Sequence, residues 1–91
     1  MKYKLEESQY LHIVGRRIRY FREKKGWSQE LLSFKSNLHR TYIGGVERGE
    51  RNISLLNLRK ISETLEVSLS DFFDFENEEL EKREKREDDQ H

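Results

Sequence analysis

Short groups of apolar residues at helical spacing, each followed by a residue suited to end a helix, constrain the fold of this chain most strongly. The first group is spaced by three and four positions and consists of Leu11, Val14, Ile18 and Phe21. That spacing places all of them on one face of an α-helix. Lys24 and Lys25 suit a last helical turn, and Gly26 suits the left-handed residue that ends a helix. The pattern predicts a first helix over residues 9–25.

The same signals predict four shorter helices. Ser28 and Ser54 are good N-cap residues, and Ser68 and Asp71 have the spacing of a capping box. The chain contains no proline, no internal repeat and no convincing strand pattern. The predicted helices span residues 29–36, 39–48, 55–66 and 69–75. The sequence therefore predicts an all-α, compact five-helix domain over residues 9–75.

Charge dominates the composition. Charged residues make up 40% of the 91-residue chain and hydrophobic residues 33%, so the core must be small. A domain of this size is only marginally stable alone, and pairing with a second copy would stabilise it. Residues 1–60 carry 14 Lys/Arg and 6 Asp/Glu, whereas residues 61–91 carry 4 and 12. The split predicts an anionic partner for the first part, with an uneven solvated surface as the alternative. Residues 76–91 are predicted to form a charged tail that is partly helical or disordered.

Few residues are suited to catalysis or metal binding. The chain has no cysteine, which removes disulfides, thiolate ligands and thiol nucleophiles together. Together with the lack of a signal peptide or an apolar run of membrane-spanning length, this predicts a cytoplasmic protein with no membrane partner. Glycines 44, 45 and 49 do not follow a strand and so do not form a phosphate loop. We expect neither an enzyme nor a bound metal or cofactor, because the only imidazoles are the widely spaced His12, His39 and His91.

Residues 29–48 form a helix-turn-helix pattern, with Asn37 able to adopt positive φ in the turn. In such a unit the first helix offers backbone N–H groups to a phosphate, and the second lies in the major groove. The run SQELLSFKSNLHRTYIGGVERGERNIS resembles the helix-turn-helix of phage-repressor and Cro-type regulators, and the resemblance spans roughly residues 15–75. Within that superfamily, NLHRTYIGGVERGERNISLLNL is most similar to the controller proteins of restriction–modification systems. The resemblance implies a homodimeric transcriptional regulator that binds double-stranded DNA.

Four residues are predicted to contact DNA near the starts of the two helices. Arg40 is the first candidate for base reading, since a guanidinium can bridge O6 and N7 of guanine. Thr41 can touch a thymine methyl group or a phosphate. Tyr42 can donate its hydroxyl to a phosphate, or it can be a partly buried core residue. The resemblance assigns Gln29 to a phosphate, and an ordinary first-turn residue is the alternative.

The end of the second helix supplies the remaining DNA-binding candidates. Arg48, Arg51 and Asn52 can hold the sugar-phosphate backbone or enter the minor groove, although Arg48 can equally be a surface residue. Gly44 and Gly45 lie three and four positions after the expected reading residues and so share their face. We expect a bare patch there that lets the helix approach the groove floor. The alternative for Gly45 is a close crossing with another helix.

The resemblance also implies roles away from the bases. Arg22 and Glu47 are expected to form a salt bridge that fixes the recognition helix. Leu31 and Phe34 stand where polar residues are usual, so they either contact RNA polymerase or a second dimer, or form a small satellite of the core. His39 occupies a cap position, where it either binds a phosphate and makes affinity pH-sensitive or acts only as a passive cap-region residue.

Surplus apolar residues near the fourth and fifth helices indicate a dimer interface. A single helix-turn-helix reads few bases, and a two-fold dimer reads a roughly palindromic operator. One dimer would activate and a second dimer on an adjacent operator would repress, a scheme that rests on the resemblance alone. The predicted interface residues, with Phe72 or Phe73 as anchors, are Ile53, Leu56, Leu69, Phe72 and Phe73.

Two other functions fit part of the sequence. One is a phage-type repressor or antitoxin-like regulator of the same fold, although the chain has no room for a long ligand-binding or toxin-binding domain. The other is a protein-interaction module that has lost DNA binding. Arg40, Gln29 and the positive charge of residues 1–60 argue against the module.

Overall fold

The computed structural model describes residues 6–75, which contain five α-helices and no strand. The helices are α1 (Glu7–Lys24), α2 (Gln29–Ser36), α3 (Arg40–Glu47), α4 (Leu55–Leu65) and α5 (Leu69–Phe72). The predicted all-α, five-helix class is confirmed, while the predicted tail over 76–91 lies outside the described residues. Within the described part of the chain, no helix is both long and apolar enough to cross a membrane.

Local hydrogen bonds set most helix boundaries. Each of three serines accepts the backbone N–H three residues further on, at 3.0–3.1 Å, and these N-caps are Ser28, Ser54 and Ser68. Asn37 ends α2 in the left-handed region, with φ of 59°. The N-cap of α3 is His39, whose Nδ1 accepts the Thr41 N–H at 3.1 Å, so α3 begins one residue later than predicted. These caps explain why α2 to α4 lie within one residue of their predicted bounds.

The two outer helices differ more from the prediction. Helix α1 starts two residues early, because Glu6 and Gln9 form a reciprocal capping box. Helix α5 ends at Phe72, so the predicted extent of 69–75 is wrong. The guanidinium of Arg17 on α1 donates to the carbonyls of Asp71 at 2.9 Å and Phe72 at 3.1 Å. A distant side chain therefore engages the last carbonyls of α5, where the chain turns away.

The core lies between all five helices. Its buried apolar residues are Ile13, Val14, Ile18, Leu32, Ile43, Val46, Leu58, Ile61, Leu65, Phe72 and Phe75. Phe72 is fully buried within one chain, and its ring centroid lies 6.2 Å from that of Phe21 and 5.3 Å from that of Phe73. The prediction that Phe72 crosses the dimer axis is therefore wrong, because its surface is used by the core of its own chain.

Helices α1 and α3 pass unusually close at Gly15. A Cβ on this residue would lie against the carbonyl oxygen of Val46 and 2.5 Å from that of Glu47. Both obstacles are backbone atoms of the recognition helix and cannot rotate away. No role was predicted for Gly15, yet this residue permits the crossing that positions α3.

Two glycine-to-alanine substitutions test this crossing against helix propensity. Alanine favours a helix over glycine by about 0.5–1 kcal/mol at either site. At Gly15 the new Cβ meets backbone, so we expect Gly15→Ala to lower the free energy of unfolding by about 1–3 kcal/mol. In Gly44→Ala the Cβ meets only the flexible ends of two side chains, and stability should be retained or raised. Urea unfolding of both variants would contradict the assignment if Gly15→Ala were as stable as Gly44→Ala.

Candidate nucleic-acid interface

A buried ion pair joins α1 to the recognition helix α3. Arg22 Nε lies 2.7 Å from Glu47 Oε2, and its Nη2 lies 2.8 Å from Oε1, which gives the bidentate geometry of a guanidinium and a carboxylate. The two side chains are only 11% and 3% exposed. The hydrogen bond to Glu47 raises the pKa of Arg22 above its ordinary value, against the opposing effect of burial. The salt bridge that the resemblance implied is present in this fold.

The ion pair extends to the start of α2. Nη1 of Arg22 donates to the carbonyl of Trp27 at 2.8 Å, just before the N-cap of α2. Gln29, the first residue of α2, donates from Nε2 to Glu47 Oε1 at 3.0 Å. Glu47 therefore pairs with Arg22, which binds the segment between α1 and α2, and it also fixes the side chain of Gln29, which was predicted to bind a phosphate. This second link was not part of the expectation for Gln29.

One open polar cleft of about 540 Å³ lies where α2 begins and α3 presents its first turns. Its lining residues are Gln29, His39, Arg40, Thr41, Gly44 and Arg48. Five of these six were predicted to contact DNA. The backbone N–H groups at the start of α2 and the two guanidinium groups make the cleft suited to an anion.

Two exposed carboxylates pair with the arginines of the cleft. Glu30 Oε1 on α2 lies 2.8 Å from Nη1 of Arg40, and the side chains are 70% and 63% exposed. Both carboxylate oxygens of Glu50 lie 3.0–3.1 Å from Nε of Arg48. Neither glutamate was predicted to belong to the site. The proximity of Glu30 to Arg40 depends on the docking of two helices, but Glu50 follows Arg48 by only two residues and was detectable.

Gly44 and Gly45 have different surroundings, contrary to the expectation of one bare patch. Gly44 lines the cleft, where an added Cβ would meet Arg48 Nη1 at 3.1 Å and Gln29 Oε1 at 3.4 Å. At Gly45 an added Cβ would lie 2.5 Å from Cγ of Arg51. The expectation of an uncovered Gly45 is therefore wrong, because the aliphatic part of Arg51 lies across it. The alternative of a helix crossing at Gly45 is not favoured either, since the three atoms nearest to this Cβ all belong to Arg51 in the loop after α3.

Arg51 belongs to a second cluster beside the cleft. Its guanidinium carbon lies 5.7 Å from the ring centroid of Tyr42, within the range of a cation–π contact. The Tyr42 hydroxyl accepts a hydrogen bond from Nδ2 of Asn57 on α4 at 3.2 Å, and its ring packs against the core. Tyr42 is thus partly buried while its hydroxyl remains in a polar network. Asn57 was missed, because nothing local in the sequence joins it to Tyr42.

The other predicted site residues lie on several surfaces. Thr41 and Asn52 are exposed. Ile53, Leu69 and Phe73 are half-buried against the core, whereas Leu56 is 76% exposed next to Leu55 at 72%. On α2, Leu31 is 36% exposed and Phe34 is 84% exposed. Phe34 is therefore not a satellite of the core, and two apolar surfaces remain uncovered by residues 6–75.

Known proteins are similar to this chain in sequence and in fold. The sequence model of the helix-turn-helix family matches residues 18–72. Control protein C.BamHI of Bacillus amyloliquefaciens is 48% identical over 64 residues, which cover 69% of this chain and 79% of the relative.

Solved structures agree with these matches. The restriction-modification controller protein C.AhdI from Aeromonas hydrophila is 47% identical with a TM-score of 0.68, and the match covers 70% of this chain and 97% of that one. The controller protein C.Esp1396I, solved as a tetramer in complex with its natural 35 base-pair operator, is 46% identical with a TM-score of 0.67, covering 71% of this chain and 86% of that one. The chain therefore belongs to the helix-turn-helix family and, within it, to the controller proteins of restriction–modification systems.

Proposed function

We propose that this protein is a transcriptional regulator that binds double-stranded DNA sequence-specifically, as a homodimer, through α2 and α3. The observation that carries the proposal is that one cleft gathers Gln29, Arg40, Thr41 and Arg48 at the helix-turn-helix. Its two arginines and helix N-terminus suit an anionic double helix. Residues 9–75 form the DNA-binding and dimerisation domain in this proposal, followed by a charged tail over 76–91. The role is regulatory rather than catalytic, and its setting is the cytoplasm.

Base reading falls to the first turn of α3. Arg40 and Thr41 are exposed there and precede Gly44, whose missing side chain leaves the cleft floor open. A helix docked by its N-terminal residues places these side chains against base edges. Arg40 binds guanine through O6 and N7, and Thr41 contacts a thymine methyl group or a neighbouring phosphate.

The surrounding residues hold the sugar-phosphate backbone. Gln29 is oriented by its hydrogen bond to Glu47 and reaches one phosphate together with the first N–H groups of α2. Tyr42 in the first turn of α3 contacts the sugar-phosphate backbone, as do Arg48, Arg51 and Asn52, which follow the end of α3. Because each neutralised phosphate releases counterions, affinity should fall steeply as salt is raised.

Dimerisation uses the exposed start of α4. Leu56, together with the exposed Leu55 and the half-buried Ile53, Leu69 and Phe73, offers an apolar surface for a second copy. The two-fold dimer then reads a roughly palindromic operator. C.Esp1396I is a tetramer on its natural operator, and we extend that arrangement to two dimers of this chain on adjacent operators.

Regulation follows from occupancy of those operators. The first dimer assists RNA polymerase and the second blocks it. The bound dimer contacts polymerase or the neighbouring dimer through an apolar surface on α2 that is formed by the exposed Phe34 and Leu31. Selection of bound duplexes from a random DNA pool would give the half-site, its spacing and its symmetry, and a pool without enrichment would contradict the proposal.

The variant Arg40→Ala tests the assignment of base reading. We expect it to weaken binding to the selected operator by about 1–3 kcal/mol for each half-site and to relax the preference at one base pair of each half-site. Gel shifts on the operator and on single-base variants measure both effects. The matched control is Arg59→Ala, which removes an exposed arginine that lies on α4, outside the cleft. If Arg40→Ala reduced affinity equally for every sequence, Arg40 would be a phosphate contact instead.

The variant Gly44→Glu tests whether the floor of the cleft faces DNA. The new carboxylate would occupy the cleft beside Gln29 and Arg48, so it should repel phosphate and reduce operator affinity by roughly ten-fold or more. Its helical circular dichroism should remain unchanged, and Gly44→Ala should bind nearly as well as the wild type. Unchanged affinity in Gly44→Glu would mean that α3 is rotated on DNA relative to this proposal.

Sedimentation of Leu56→Asp tests the dimer surface. We expect the wild type to be dimeric at tens of micromolar and Leu56→Asp to be monomeric, because a carboxylate would be buried without a partner at the interface. Phe34→Asp is the matched control, since it changes a similarly exposed apolar residue on α2 and should leave the dimer intact. A monomeric wild type, or a dimeric Leu56→Asp, would contradict this surface.

A further inference from the structure

The cleft contains negative charge as well as positive charge, and DNA binding alone does not account for it. Glu30 and Glu50 are both exposed and both pair with an arginine of the cleft, at 2.8 Å and 3.0 Å. A surface built only for affinity would not place carboxylates where phosphates must approach. Their position in front of Arg40 and Arg48 indicates a function in selecting DNA.

Helix stability explains only part of this arrangement. Glu30 lies in the first turn of α2, where a carboxylate interacts favourably with the helix dipole. That preference is met by any orientation of the side chain, whereas Glu30 reaches across to α3. Glu50 lies beyond the end of α3, in the loop, and has no helix N-terminus to stabilise. The feature common to the two glutamates is that each one pairs with an arginine of the cleft.

We propose that Glu30 and Glu50 are specificity-determining residues that keep Arg40 and Arg48 in ion pairs which non-sequence-specific DNA does not break. A phosphate offers an arginine much the same charge that the carboxylate already supplies. Exchanging one for the other therefore gains little, and it leaves the released carboxylate close to the DNA backbone. An arginine that stays paired neutralises no phosphate and releases no counterion.

The operator changes this balance at Arg40. A guanine presents two acceptors in the geometry of a bidentate guanidinium contact, inside a groove from which water is partly excluded. Arg40 then gains more than a phosphate can offer and leaves Glu30. Docking at that depth also brings Arg48 to its phosphate, so both arginines are released together on the correct sequence. This inference rests on the proposed DNA-binding function and adds to it a reason why random DNA is bound weakly.

The variants Glu30→Gln and Glu50→Gln, alone and combined, test the proposal in the full-length protein. Two duplexes of equal length are used: the operator selected from a random pool, and a scrambled version of it. Freed arginines should bind any phosphate, so the combined variant should bind the scrambled duplex roughly three- to ten-fold more tightly at low salt. The salt dependence on that duplex should steepen by about one ion for each arginine freed. Operator affinity should rise less, so the ratio between the two affinities should fall.

Glu63→Gln is the matched control for charge. It removes a carboxylate from the Arg59–Glu63 pair on α4, which has the same 2.8 Å separation and a similar exposure of 66% and 64%. It changes net charge as each single variant does, outside the cleft. Circular dichroism and sedimentation should show that all variants keep the fold and the dimer of the wild type.

Each alternative outcome overturns the proposal in a recognisable way. If Glu63→Gln raised affinity for the scrambled duplex as much as Glu30→Gln or Glu50→Gln, the effect would be one of net charge alone. If Glu30→Gln weakened operator binding and left the scrambled duplex unaffected, Glu30 would orient Arg40 for reading instead. An unchanged salt dependence would show that the arginines are never withheld. A wild type that bound neither duplex would refute the proposed function itself, before any variant is compared.

Discussion

The buried ion pair between Arg22 and Glu47 is the interaction on which the cleft between α2 and α3 depends. It is bidentate, nearly inaccessible to water, and joins the first helix to the recognition helix. Loss of either partner would leave an uncompensated buried charge, which is far more costly than the net contribution of the intact pair. Because Glu47 also accepts a hydrogen bond from Gln29, one carboxylate sets the relative positions of α1, α2 and α3.

Gly15 makes that ion pair geometrically possible. It lies seven residues before Arg22 on α1, which places both on the same face two turns apart. At Gly15 the helix touches the backbone of α3 at Val46 and Glu47, and at Arg22 it reaches the carboxylate of Glu47. A side chain at the first position would separate the helices and lengthen the contact at the second. The close crossing and the buried charge pair are therefore parts of one solution for holding α3.

Features that depend on neighbouring residues were predictable from the sequence, and features that depend on distant ones were not. The capping serines and Asn37 act within three residues, which is why α2, α3 and α4 were placed within one residue of their ends. The last carbonyls of α5 accept hydrogen bonds from Arg17, more than fifty residues earlier in the chain. The burial of Phe72 was not predictable for the same reason. In the sequence, an apolar residue that packs in the core of its own chain looks the same as one that contacts a partner chain. The contact between the Arg51 side chain and Gly45 was likewise not predictable, because it depends on the conformation of the loop after α3.

The charges of the cleft bring these observations together. Residues 1–60 carry 14 Lys/Arg and 6 Asp/Glu, an excess of positive charge that attracts any nucleic acid. Attraction of this kind depends on phosphates and carries no sequence information, so a regulator that relied on it would be distributed over bulk DNA. The structure opposes that excess locally, since Arg22 is occupied by a buried carboxylate while Arg40 and Arg48 are occupied by exposed ones. The buried pair is inaccessible to a competing anion and fixes the positions of the helices, whereas the arginines of the exposed pairs can exchange their carboxylate for another anion. The same chemical pairing therefore provides rigidity where water is excluded, and in the mechanism that we propose it provides selectivity where DNA can compete.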